Sequence, residues 1–163
     1  PALWNHLLNS LASTGQITIR GGSIILRSAV ANLADADREL LERIVCLYEE
    51  TAFTSPRPDD LPDVLNAQPA RIQKLFDLLC RQNTIIKLNK SVAMSYHHFR
   101  CAQRLVVDII LKDGQLDSAD FKTVIGTSRK YALAVLDFLD ARRVTVRADN
   151  IRKLTRDYEK NLL

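Results

Sequence analysis

The side chains of this 163-residue chain whose types and spacing suit chemistry are cations near its end. Ala132, Val135, Leu136 and Leu139 fall at i, i+3, i+4 and i+7, one apolar stripe, so a helix is predicted to start just after Ser128, a residue type favoured at N-caps. Arg129 and Lys130 then occupy its first turn. The helix dipole disfavours cations there, by about 0.3–1 kcal/mol each, and stability alone would place Asp or Glu. First-turn amides together with two cations instead suit an anion such as phosphate. Arg142 and Arg143 follow at the helix end, where cations suit the dipole. Arg147, Arg152 and Arg156 flank the turn Ala148-Asp149-Asn150. Tyr131 either stacks on a flat ligand or caps the local core, and its position favours the core.

No catalytic motif stands beside these cations. There is no phosphate-binding glycine loop, no paired-glycine fingerprint and no nucleophile elbow. His97 and His98 are adjacent, so their side chains diverge and are poorly placed to share a metal. Glu49-Glu50 and Asp59-Asp60 read as solvated charges at helix ends or in a loop. Cys46, Cys80 and Cys101 are odd in number and widely spaced, which predicts buried, reduced thiols. No apolar run approaches the ~18 residues of a membrane span, and no signal-peptide pattern opens the chain. The reading is a non-enzymatic, cytoplasmic piece with no cofactor or metal of its own. It starts at Pro1, so it is expected to be a fragment of a longer protein.

Charge is unevenly spread. Residues 1–94 hold 10 Lys+Arg and 10 Asp+Glu, whereas residues 95–163 hold 13 and 9, so the whole net charge of +4 lies in the last part. Between Gly126 and Arg156 the count is 8 basic to 3 acidic. Such a concentration points to an anionic partner.

An internal repeat supplies the elements that position these residues. Trp4–Leu11, Ile72–Leu79 and Ala132–Leu139 are helical patterns. Each is followed by a short β-prone stretch, a two-residue turn and a second β-prone stretch. The turns fall at Gly21-Gly22, Asn89-Lys90 and Ala148-Asp149. Upstream of the second and third copies lie Asp60–Leu65 with Asn66–Pro69, and Ala119–Val124 with Ile125–Ser128, each a helix-turn-helix pattern. A longer helix precedes each, over Asp35–Glu50 and His97–Leu111. Helix, helix-turn-helix and hairpin form the winged-helix plan. The predicted fold class is mainly α with small β-hairpins (α+β), as tandem winged helices. The predicted units are 1–30 (the end of one), 31–94 (a spacer) and 95–163 (the basic one). The loop Thr51–Asp60 lies inside the middle unit.

Gly126-Thr-Ser-Arg-Lys-Tyr-Ala132, Leu136-Asp-Phe-Leu-Asp140 and Val144-Thr145 resemble the last winged helix of the bacterial selenocysteine-specific elongation factors. The resemblance covers residues 120–154 in sequence and the earlier units in architecture. It implies an amino-terminal GTPase, holding GTP and Mg, that carries selenocysteinyl-tRNA to the ribosome. It also implies a carboxy-terminal arm whose last unit binds a messenger-RNA stem-loop near an in-frame UGA codon. It places RNA contacts at Arg129, Lys130, Arg147 and Arg152, and the neighbouring Ser128, Arg143 and Asn150 complete the expected RNA-binding set. Val146 stands where the family has a second wing arginine, Asp149-Asn150 where it has Gly-Asp, and Arg142-Arg143 where it has Ile-Gly. A winged-helix DNA-binding regulator is the alternative, and a protein-interaction scaffold a third reading. No heptad or other dimer device appears, so a monomer is expected, with no membrane partner.

Overall fold

A computed structural model describes the backbone of residues 17–20 and 23–26 and the whole of residues 35–163. Strands β1 (Ile17–Arg20) and β2 (Ser23–Leu26) pair antiparallel with Arg20 opposite Ser23, a register that matches the predicted two-residue connection. The predicted helix Trp4–Leu11 and the turn residues Gly21-Gly22 lie outside the described residues.

The middle unit begins with α1 (Asp35–Thr51). Leu40, Ile44 and Tyr48, with Leu41 and Val45, form its buried face, the four-residue spacing of one helix side. Two 3₁₀ turns, Ala52–Thr54 and Pro58–Asp60, lead into α2 (Leu61–Leu65). Asn66 ends α2 in the left-handed region at φ +48°, and α3 (Pro69–Arg81) opens with proline at its first position. Strands β3 (Ile85–Lys87) and β4 (Ala93–Ser95) follow, with Ile86 opposite Met94. Their connection is longer than the predicted Asn89-Lys90 turn. Leu88 N–H donates to Val92 O at 2.9 Å, leaving Asn89–Ser91 as the loop. The Asn89 carboxamide oxygen accepts from the Ser91 amide at 2.8 Å, and this Asx turn favours the three-residue form.

The last unit starts without a linker. Ser95, the final residue of β4, caps α4 (Tyr96–Asp113) by accepting from His98 N–H at 3.3 Å. Gly114 ends α4 at φ +80°. A two-residue strand β5 (Leu116–Asp117), α5 (Ser118–Ile125), α6 (Arg129–Ala141), β6 (Thr145–Ala148) and β7 (Ile151–Leu154) complete the unit. The sheet order is β5-β7-β6. Ala148 pairs with Ile151, so the wing turn is Asp149-Asn150, one residue later than predicted. Asp149 takes φ +56°, a conformation that Asp tolerates better than Ala.

The β3–β4 hairpin belongs to two cores. Ile85 and Ala93 pack with α1, α2 and α3, whereas Ile86, Val92 and Met94 join Phe99, Val106, Phe121, Leu136 and Leu139 in the last unit. Strand alternation sends successive side chains to opposite faces, so one hairpin fills both. The thiols depart from expectation. None of the three is in a disulfide, but Cys46 and Cys101 are exposed on helix surfaces and only Cys80 is partly buried, where burial pushes its thiol up to about 11. Among the described residues, no helix is long and apolar enough to cross a membrane.

Candidate nucleic-acid interface

Helix α6 begins at Arg129, with Ser128 in the N-cap position. The Ser128 hydroxyl makes no capping bond. It is exposed, and so are Arg129 and Lys130. Among the described residues, neither cation meets a carboxylate. Lys130 Nζ lies 5.5 Å from the centroid of the Tyr131 ring, a cation–π contact that leaves its charge unneutralised. Tyr131 turns inward: it is partly buried against the core of the last unit, and its hydroxyl donates to Ser55 O. The matching turn of the middle unit differs. α3 starts with Pro69-Ala70, and its first cation, Arg71, is bound to Asp37.

The wing residues fall into two groups. Arg147 is exposed and donates through Nε to Asp149 O at 2.7 Å, so its guanidinium sits at the wing tip. Asn150 holds the tip in place through its backbone, because its carbonyl accepts from the Ser118 amide at 3.1 Å and the Ser118 hydroxyl at 2.8 Å. Its side chain is exposed. Arg143 is exposed at the end of α6 with φ +59°, in the left-handed region. Its carbonyl accepts from Thr155 Oγ1 at 2.6 Å.

Arg152 corrects the sequence reading. Its side chain is 0% exposed. The guanidinium donates to Asp137 Oδ1 at 2.9 Å, to Asp140 Oδ2 at 3.2 Å and to Ser118 Oγ. All three nitrogens are engaged, so Arg152 is an internal strut joining β7 to α6 and α5, and no face of it meets solvent. The reason is register: Arg152 lies opposite Leu116 of β5 on the inward side of the sheet. A sequence signal existed in Asp137 and Asp140. They lie three apart on α6, so they share one face and need a cation there.

This strut sharpens the electrostatics. Of the three acidic residues between 126 and 156, Asp137 and Asp140 are bound to Arg152. The other seven cations, Arg129, Lys130, Arg142, Arg143, Arg147, Lys153 and Arg156, share that stretch with Asp149 alone. Lys153 is exposed opposite Val146, which is itself 54% exposed on the outer face of the wing.

Residues 108–154 match the family model described as elongation factor SelB, winged helix. That stretch, which runs from α4 to β7, is thus similar to a SelB winged helix. The chain is also 20% identical over 158 residues to a selenocysteine-specific elongation factor of Desulfomicrobium baculatum, covering 94% of this chain and 24% of that protein. It thus spans about a quarter of its relative's length. Among solved structures, it resembles the mRNA-binding domain of E. coli SelB in complex with SECIS RNA. There the TM-score is 0.64 at 18% identity, over 75% of this chain and 98% of that one. A bacterial selenocysteine-specific elongation factor, EF-Sec, matches with a TM-score of 0.52 at 16% identity over 92% of this chain and 23% of that chain. These likenesses establish the tandem winged-helix fold.

Proposed function

We propose that this chain is the messenger-RNA-binding arm of a selenocysteine-specific translation elongation factor acting in the cytoplasm. Its last winged helix grips an RNA hairpin and tethers the factor near an in-frame UGA codon. The observation that carries the reading is the unneutralised basic start of α6, Arg129 and Lys130, inside a SelB-type winged helix. Arg129, Lys130 and Arg143 hold phosphates. Ser128 offers a free hydroxyl beside them. Arg147 and Asn150, at the wing tip, reach the loop bases. RNA suits this geometry because A-form helices close their major groove to a helix, and specific readers take loops and bulges instead.

The middle unit serves as a stiff spacer. Its own helix start lacks free cations, and the shared β3–β4 hairpin locks it to the last unit. A fragment beginning at Ser95 would strip Ile86, Val92 and Met94 from the RNA-binding unit's core, at about 1.5–3 kcal/mol per large apolar side chain. The smallest self-sufficient RNA-binding piece therefore includes the hairpin. The GTPase, with its GTP and Mg, and the binding of selenocysteinyl-tRNA and the ribosome belong to the longer factor that the relatives represent.

Comparing an RNA hairpin with duplex DNA of matched charge tests the proposal. The hairpin should bind more tightly at every salt concentration. Equal or tighter binding to the duplex would favour a DNA-binding regulator, which lays its helix in the major groove.

A further inference from the structure

The basic triplet Ser128-Arg129-Lys130 is flanked by two hydroxyl groups, and both donate to the middle unit. Thr127 Oγ1 donates to Phe53 O at 2.6 Å, and the Tyr131 hydroxyl donates to Ser55 O. The donors sit four residues apart, astride the first turn of α6. The acceptors sit two apart, in the loop that follows α1. That loop is itself tightly held. Ser55 is 1% exposed and donates to Ala52 O at 2.7 Å. The Phe53 ring packs on the last unit's core and edge-on against His98, 5.7 Å between centroids. Lys130 in turn lies over Tyr131.

We infer that Thr127 and Tyr131 are positioning residues, through which the loop 51–56 of the middle unit fixes the start of the recognition helix for RNA. The triplet faces solvent while its neighbours on both sides are held from behind. A helix start anchored in this way loses less conformational freedom when it meets phosphates, and preorganisation of this kind raises affinity without any new bond to the ligand. Linkage makes the effect reciprocal: RNA bound at the triplet must steady the loop, although the loop touches no RNA. The inference rests on the proposed RNA-binding function and gives the middle unit a part in recognition beyond spacing.

The test uses the whole 163-residue chain and a stem-loop RNA chosen from a randomised-loop pool for binding to it. Thr127→Val and Tyr131→Phe remove only the hydroxyls. The double variant should bind the stem-loop about tenfold more weakly. The slope of log affinity against log salt should stay unchanged, because every cation that meets a phosphate is still in place. On the unaltered chain, adding the stem-loop should slow hydrogen exchange of the amides of residues 51–55. Unchanged affinity in a folded double variant would overturn the inference, and so would a flattened salt slope. If the double variant does not fold, the exchange experiment decides: no slowing at 51–55 overturns it. Failure of the unaltered chain to select any stem-loop would instead refute the proposed function.

Discussion

Replacing Arg152 tests whether the wing is held by an internal strut. Arg152→Met keeps much of the aliphatic stem and removes the charge and three donors. Breaking a buried ion pair by deleting one partner costs about 3–5 kcal/mol when the other is left stranded. The two acids here are not equally stranded. Asp137 is 60% exposed, so it returns to water and its share is that of a surface pair, about 0–1 kcal/mol. Asp140 is only 21% exposed. It keeps the Thr145 hydroxyl at 2.5 Å but is deprived of its cation, at about 1.5–3 kcal/mol for a charged hydrogen bond. Ser118 forfeits a third bond. The expected loss is about 3 kcal/mol, with Asp137→Asn costing under about 1 kcal/mol. Urea unfolding followed by circular dichroism reads both values from the shift in midpoint at constant slope. A loss below about 1 kcal/mol for Arg152→Met would refute the strut. So would a folded variant whose RNA-binding salt slope flattens by about 0.7–0.9, the signature of one phosphate fewer held by the protein.

Two further outcomes follow from the same geometry. Arg143 holds φ +59°, so Arg143→Gly should raise stability by about 1 kcal/mol while weakening RNA binding by removing a cation; thermal melts and a binding titration check the two signs. His98 lies between the units, 2.8 Å from Ser95 Oγ and 3.6 Å from Glu49. Burial lowers its pKa below the ordinary value of 6.5, with Glu49 opposing and His97 adding to the shift. The unfolded chain therefore takes up this proton more readily, so the contribution is present above pH ~6.5 and is lost as pH falls from there through the lower folded value. His98→Gln should flatten the rise in stability with pH over that window, and denaturation at several pH values measures it.

Much of the fold was legible because it repeats. The apolar stripe of α6 and the Gly126–Ser128 turn fixed one helix-turn-helix, and the same grammar located α2 and α3. The start of the candidate site was equally legible, since cations in a first turn oppose the helix dipole and call for an explanation. What escaped the sequence depended on distant segments meeting in space. β5 is two residues long, too short for any period. The inward direction of Arg152 follows from its pairing with Leu116, 36 positions away. The hydroxyl bonds of Thr127 and Tyr131 reach back 74 and 76 residues. The sharing of the β3–β4 hairpin between two cores shows only when both units are packed. Its strands already carried the hint, however, in the apolar pairs Ile85-Ile86 and Ala93-Met94, which lack a polar face.

The central claim is that the start of α6 holds RNA phosphates, and a salt titration of Arg129→Ala/Lys130→Ala tests it most directly. Among the described residues neither side chain is paired with a carboxylate, and both oppose the helix dipole, so folding stability should stay level or rise slightly. Binding to the stem-loop RNA should weaken by about 1.5–3 kcal/mol for each charge-assisted hydrogen bond removed. The slope of log affinity against log salt should flatten by about 0.7–0.9 for each phosphate released. Matched and mismatched loops should suffer alike, because phosphate contacts carry no sequence information. Binding and slope equal to those of the unaltered chain at moderate salt would contradict the account, leaving the first turn of α6 an ordinary solvated surface.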